Sequence, residues 1–133
     1  MLARAPRTQA ELAARLVQIG YSTAKVAETV ARCRELGYLN DAALATDRAR
    51  ALRARGAGSL RIVADLEARG VPDALVAGAV DASLDGEREA EWARRSLARL
   101  RLDIDAPRAR ARAWRLLGAR GFPEEVILEI LGD

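Results

Sequence analysis

Arginine is the residue type whose number and spacing in this chain could do chemistry. Five arginines and no acid lie between Arg48 and Arg61, and nine lie between Arg94 and Arg120 against only Asp103 and Asp105. A guanidinium stays charged at any working pH and presents a planar fork of donors that matches a carboxylate or a phosphate. The chemistry on offer is anion contact. One candidate patch is Arg48, Arg50, Arg53, Arg55 and Arg61; a second is Arg108, Arg112, Arg115 and Arg120, with Arg69 at the position equivalent to Arg120. On a helix after Pro107, a rotation of about 100° per residue places Arg108, Arg112 and Arg115 in one narrow arc. Ala113, Trp114, Leu116 and Leu117 then project on the opposite side. The same pattern also suits a solubilising surface, so phosphate contact, acidic-partner contact and plain solvation all remain open at this stage.

Other routes to catalysis have little to work with. The chain holds no histidine and one cysteine, which excludes His-dependent triads and, in practice, a zinc site. Its 19 acids are interspersed with arginines in the manner of solvated helix faces. Gly56-Ala57-Gly58 is too short for a phosphate-binding loop and lacks the lysine that should follow. A non-enzymatic protein without cofactor or metal is expected. Cys33 lies seven residues after Val26 and three after Val30, on the expected buried stripe of its helix, where a small apolar residue is the expectation and a reactive or redox thiol the alternative. No apolar run approaches the ~20 residues that cross a bilayer. No basic start followed by an apolar stretch suggests export, so a cytoplasmic location away from membranes is expected.

The elements that must hold these arginines follow a repeat. Leu12, Leu16, Gly20, Tyr21, Val26 and Val30 recur as Ile62, Leu66, Gly70, Val71, Val76 and Val80, then as Ala113, Leu117, Gly121, Phe122, Ile127 and Leu131. A fixed period of this kind marks units that leave an apolar face uncovered until a neighbour stacks on it. Each copy reads as two helices joined at a glycine, with large apolar residues four apart on one side. Pro72 and Pro123 stand where the next helix begins and no amide donor is needed. Thr8 and Glu11 form a capping box, Ser59 can cap the equivalent helix of the second copy, and Asn40 or Asp41 can cap a helix running to about Arg55. A further helix is expected from roughly Gly86 to Arg101.

No strand signal competes. With 50% hydrophobic but only 4% aromatic residues, the core is built mainly from Ala, Leu and Val. The expected fold is all-α: one domain over 1–133, tandem three-helix repeats stacked into an elongated, curved, solenoid-like array with right-handed connections and about eight helices. Units are expected at about 1–38, 39–84 and 85–133. Only Met1 to Pro6 stand where the leading helix of the first belongs, so either that unit is truncated or the sequence starts downstream of residues that complete it. Trp114, beside Leu117, is expected in the core. Trp92 falls off the stripe of Ala90, Ala93, Leu97 and Leu100, either packing on a neighbouring unit or standing exposed as an anchor for a partner.

The run Gly37-Tyr38-Leu39-Asn40-Asp41, then Ala45 and Arg50, then Gly58 with Leu66 through Gly70 and Val71, resembles the central part of the RecX family of recombinase regulators. Leu117, Arg120, Gly121 and Phe122 followed by Glu125, Val126 and Ile127 resemble that family's last unit, and Arg7-Thr8 with Glu11-Leu12 its opening motif. Asn40 stands where the family often has a second aspartate. Ile19 occupies the place of Arg69 and Arg120, so the first unit is not expected to share their electrostatic contact. The resemblance implies a monomeric, non-catalytic protein that lies in the helical groove of the RecA filament on single-stranded DNA and suppresses recombinase activity or promotes filament loss. Two rival readings use the same residues: a helical DNA-binding protein without a recombinase partner, and a scaffold that binds only protein.

Overall fold

The computed structural model describes residues 7–132. Among them run α1 (Gln9–Ile19), α2 (Thr23–Glu35), α3 (Asp41–Ala54), α4 (Ser59–Ala68), α5 (Asp73–Ser83), α6 (Glu89–Leu100), α7 (Pro107–Ala119) and α8 (Glu124–Leu131), with no strand. Residues 1–6, which stand where the leading helix of the first unit belongs, lie outside the described residues.

Local chemistry sets most of the boundaries. The Thr8 side chain accepts from the Glu11 amide and the Glu11 carboxylate accepts from the Thr8 amide, the reciprocal bonds of a capping box. The Ser22 and Asn40 side chains cap α2 and α3 by accepting from the amides of Lys25 and Ala43. At the other ends one closing motif recurs: the amides of Tyr21, Val71 and Phe122 donate to the carbonyls of Leu16, Leu66 and Leu117. Ser59 departs from its expected role. The N-cap of α4 is Gly58, which carries no side-chain cap, and Ser59 is the first helical residue.

The helices pack mainly within three groups, α1 with α2, α3 with α4 and α5, and α6 with α7 and α8. The second group closes over Ala45, Ala49, Ile62, Leu66, Val71, Val76 and Ala79. The third closes over Ala93, Ala113, Leu117, Phe122, Ile127 and Leu131. Each larger group therefore has a core of its own, as in a repeat protein whose units touch only their neighbours. The accessible surface of 8378 Å² exceeds the roughly 6,800 Å² expected of a compact monomer of this mass, in keeping with an extended array. Within the first group, α1 and α2 have no third helix among the described residues. Tyr21 is consequently 50% exposed, whereas its counterparts Val71 and Phe122 are buried.

The groups are joined through backbone carbonyls. Between the second and third, the amides of Gly58 and Leu60 donate to the carbonyls of Arg120 and Gly121 at 2.8 and 2.9 Å. Between the first and second, the Thr8 hydroxyl donates to the Arg69 carbonyl at 2.6 Å. Thr8 and Gly58 occupy equivalent repeat positions, as do Arg69 and Arg120. The glycines at these joints are required by proximity as well as by backbone angle. A Cβ on Gly70 would lie 2.5 Å from the Ala10 Cβ, and one on Gly121 would lie 2.5 Å from the Arg61 amide nitrogen. Gly20 meets no such group among the described residues and faces open space.

Candidate cationic faces and the joints that hold them

An acid at the start of each leading helix reinforces the joints. The Asp41 carboxylate, at the first residue of α3, accepts from the Gln9 amide at 3.0 Å. Glu89, at the first residue of α6, accepts from the Ser59 amide at 3.2 Å and also from the Ser59 hydroxyl. Gln9 and Ser59 are the first residues of α1 and α4, so one clamp is used twice. Both acids lie just before an apolar helical run, yet only the packed array shows that their partners are in the preceding unit.

Arg53 corrects the sequence-based placement of the first cationic patch. Its side chain is fully buried, with Nε 3.2 Å from the Ser83 hydroxyl, Nη2 2.9 Å from the Ser59 hydroxyl and Nη1 3.6 Å from the Glu89 carboxylate. Burial pushes its pKa down while Glu89 opposes that, and the group stays cationic because a guanidinium does not deprotonate in a protein. This arginine ties α3, α4, α5 and α6 together and presents nothing to solvent. Its place on the inner side of α3, beside Leu52, could have been read from the helical period.

Arg48 and Arg69 are half-buried and already hold carboxylates. Arg48 grips Asp65 through two parallel bonds of 3.0 and 2.9 Å, which hold the Asp65 carboxyl below its ordinary pKa and raise that of Arg48. Arg69 grips Glu11 across the first joint at 3.1 and 3.0 Å. Desolvation acts to raise the Glu11 pKa, but the Arg69 bonds and the Thr8 amide outweigh it and leave it lowered. Paired forks of this kind are the strongest geometry arginine offers.

The remaining candidates face solvent. Arg50, Arg55, Arg61, Arg108, Arg112 and Arg115 are exposed and enter no ion pair among the described residues. Arg120 is half-buried, its guanidinium laid over Gly56 so closely that a Cβ there would meet Nη1 at 2.8 Å. Arg55 precedes that glycine and Arg61 abuts Gly121, so the second joint brings Arg55 and Arg61 of one patch beside the segment that carries Arg120 of the other. By contrast, two of the three arginines of α6 are engaged: Arg94 pairs with Glu91 and Glu129, and Arg95 with Glu87.

Both tryptophans are accounted for by packing. Trp114 packs on the third core. Trp92 also packs there, donates from Nε1 to the Leu84 carbonyl at 2.9 Å and carries the Arg95 guanidinium 4.8 Å above its ring. It is not an exposed anchor. Cys33 is half-buried. Among the described residues no helix is long and apolar enough to cross a membrane.

Comparison with known proteins bears on this geometry. The family description "RecX, first three-helix domain" matches residues 1–33. The regulatory protein RecX of Chromohalobacter salexigens is 33% identical over 131 residues, spanning 96% of this chain and 83% of that protein. The RecX protein of Mycobacterium sp. strain KMS is 31% identical over 140 residues, spanning 98% of this chain and 75% of the relative. Among solved structures, RecX from Lactobacillus salivarius superposes with a TM-score of 0.78 at 19% identity, covering 98% of this chain and 88% of that one. A second RecX crystal structure gives 0.71 at 21% identity over 98% and 65% of the two chains. The structural matches establish the fold, an elongated all-helical array, and the sequence matches the kinship.

Proposed function

The chain belongs to the RecX family, whose members are named regulatory proteins, and from that premise we propose that it is a non-catalytic regulator of a RecA-type recombinase filament. It binds the filament on single-stranded DNA, spans neighbouring protomers along the helical groove, and inhibits the recombinase or promotes filament loss. The observation that carries this reading is the distribution of neutralised and free arginine. Glu11, Asp65, Glu91 and Glu129 are spent on internal salt bridges, while Arg50, Arg55, Arg61, Arg108, Arg112 and Arg115 enter none among the described residues, with Arg61 feeling only the field of Asp65. An extended row of free cations suits a repetitive anionic surface, where many small contacts add.

The contacts proposed are Arg50, Arg55, Arg61 and Arg120 at the second joint, with Arg108, Arg112 and Arg115 on α7. Arg48 and Arg69 position these faces through Asp65 and Glu11. The test is the single-stranded-DNA-dependent ATPase of the cognate recombinase, with this protein titrated onto preformed filaments and bare-DNA binding measured in parallel. Inhibition below one protein per recombinase with weak affinity for bare DNA supports the proposal. Tight, steeply salt-dependent binding to bare DNA without inhibition replaces it with the plain DNA-binding reading. Charge reversal at Arg108, Arg112 and Arg115 is expected to weaken filament binding with helical content unchanged.

A further inference from the structure

The two joints are built on one plan and differ in one charge. In both, the N-cap of the preceding unit bonds the carbonyl of the arginine that ends the next unit's hairpin helix, Thr8 on Arg69 and Gly58 on Arg120. In both, the first acid of the next leading helix clamps the first helical amide, Asp41 on Gln9 and Glu89 on Ser59. In the first joint the Arg69 guanidinium is filled by Glu11, three residues after the N-cap. The residue at that position in the second joint is Arg61. A cation therefore stands at the repeat position where the first joint has its carboxylate, with Arg120 at the position of Arg69.

Among the described residues no other group takes that place. Neither Arg61 nor Arg120 enters an ion pair among the described residues, and Asp65, one turn further along α4, has both oxygens held by Arg48 and attracts Arg61 only at a distance, without a salt bridge. Arg61 also lies in the first turn of α4, where the helix dipole disfavours a cation, and that helix has no acid of its own in its first turn. Local rules broken without internal compensation mark functional positions.

We infer that the Arg61–Arg120 pair at the second joint is a seat for a carboxylate of the protein partner, an Asp or Glu side chain that takes the place Glu11 holds in the first joint. A carboxylate is favoured over a phosphate because the equivalent guanidinium, on the same backbone frame, already holds one through two parallel bonds. This names the chemistry recognised at one point of the surface proposed above and rests on that reading only for the identity of the partner.

The test compares wild type, Arg61→Glu and Arg61→Ala in three measurements: thermal unfolding, binding of a fluorescent oligoglutamate peptide and of a fluorescent dT oligomer of equal charge, and filament ATPase inhibition. Arg61→Glu supplies the missing acid from within, so it is expected to pair with Arg120 and unfold at higher temperature than Arg61→Ala. It is expected to lose about tenfold in oligoglutamate affinity, the equivalent of one charge-assisted contact. Affinity for the dT oligomer is expected to change about twofold or less, because its phosphates are spread over the other free arginines. An Arg61→Glu protein no more stable than Arg61→Ala, or a larger loss on dT than on oligoglutamate, overturns the seat. A wild type that binds oligoglutamate through Arg61 yet leaves the filament ATPase untouched overturns the filament proposal and leaves the seat standing.

Discussion

Replacing Gly58 with alanine isolates the joint between the second and third units from every other property of the sequence. The Gly58 backbone lies at φ −88° and ψ 171°, a region any L-residue adopts, so the added methyl brings no backbone strain. It would instead lie 2.4 Å from the Gly121 carbonyl carbon and the Phe122 nitrogen. Those are backbone atoms with no rotamer to turn aside, so the joint must open by about 1 Å to restore van der Waals separation. Opening it weakens the bonds from the Gly58 and Leu60 amides to Arg120 and Gly121, each worth about 1 kcal/mol. Overpacking adds about 1–3 kcal/mol. The expected loss is about 3 kcal/mol, or about 10 °C in Tm for a chain of this size. The control is Gly78→Ala on α5, where nothing lies within 4 Å of the new Cβ and the helix should gain about 0.5–1 kcal/mol. Urea and thermal unfolding followed by far-ultraviolet circular dichroism measure both. Equal stability of Gly58→Ala and wild type would refute the backbone docking of the joint, because no side-chain motion can absorb the overlap.

Arg53→Ala is expected to destabilise by about 3 kcal/mol, because it leaves Glu89 and Ser83 at a closed site without their cation; urea unfolding checks this, and a mild loss of stability with a large loss of filament binding would return Arg53 to the contact surface. The Asp65 carboxyl is depressed by Arg48 below its ordinary value of 3.8, so its contribution is complete above that value and is lost as pH falls through the depressed one. Asp65→Asn should therefore flatten the fall in stability between neutral pH and about pH 3, and a parallel decline in both proteins would argue against the Arg48 pair. Trp92→Phe removes the donor to the Leu84 carbonyl and should cost about 1 kcal/mol with no change in partner binding; a selective binding defect would restore the anchor role.

What the sequence by itself determined was whatever depends on short-range periodicity. The repeated apolar positions, the capping box at Thr8, the cap at Asn40, and the glycine that ends each hairpin helix specify α1 to α8 almost without reference to one another, because each is satisfied within a few residues along the chain. The family kinship was legible for the same reason, since those signals recur in order. The exposed arginines of α7 were legible too, the arc of Arg108, Arg112 and Arg115 following from the helical turn alone. Tertiary structure decided which charges are free. Arg53 and Arg50 look alike in a basic run, yet one is sealed against Ser59, Ser83 and Glu89, residues six to 36 positions away, and the other faces water. Arg69 and Arg120 hold equivalent positions, yet only Arg69 meets a carboxylate, 58 residues distant in Glu11. Charge is a property of a residue, but neutralisation belongs to a pair, and the members of these pairs are brought together by joints whose bonds run between units and not along the helix.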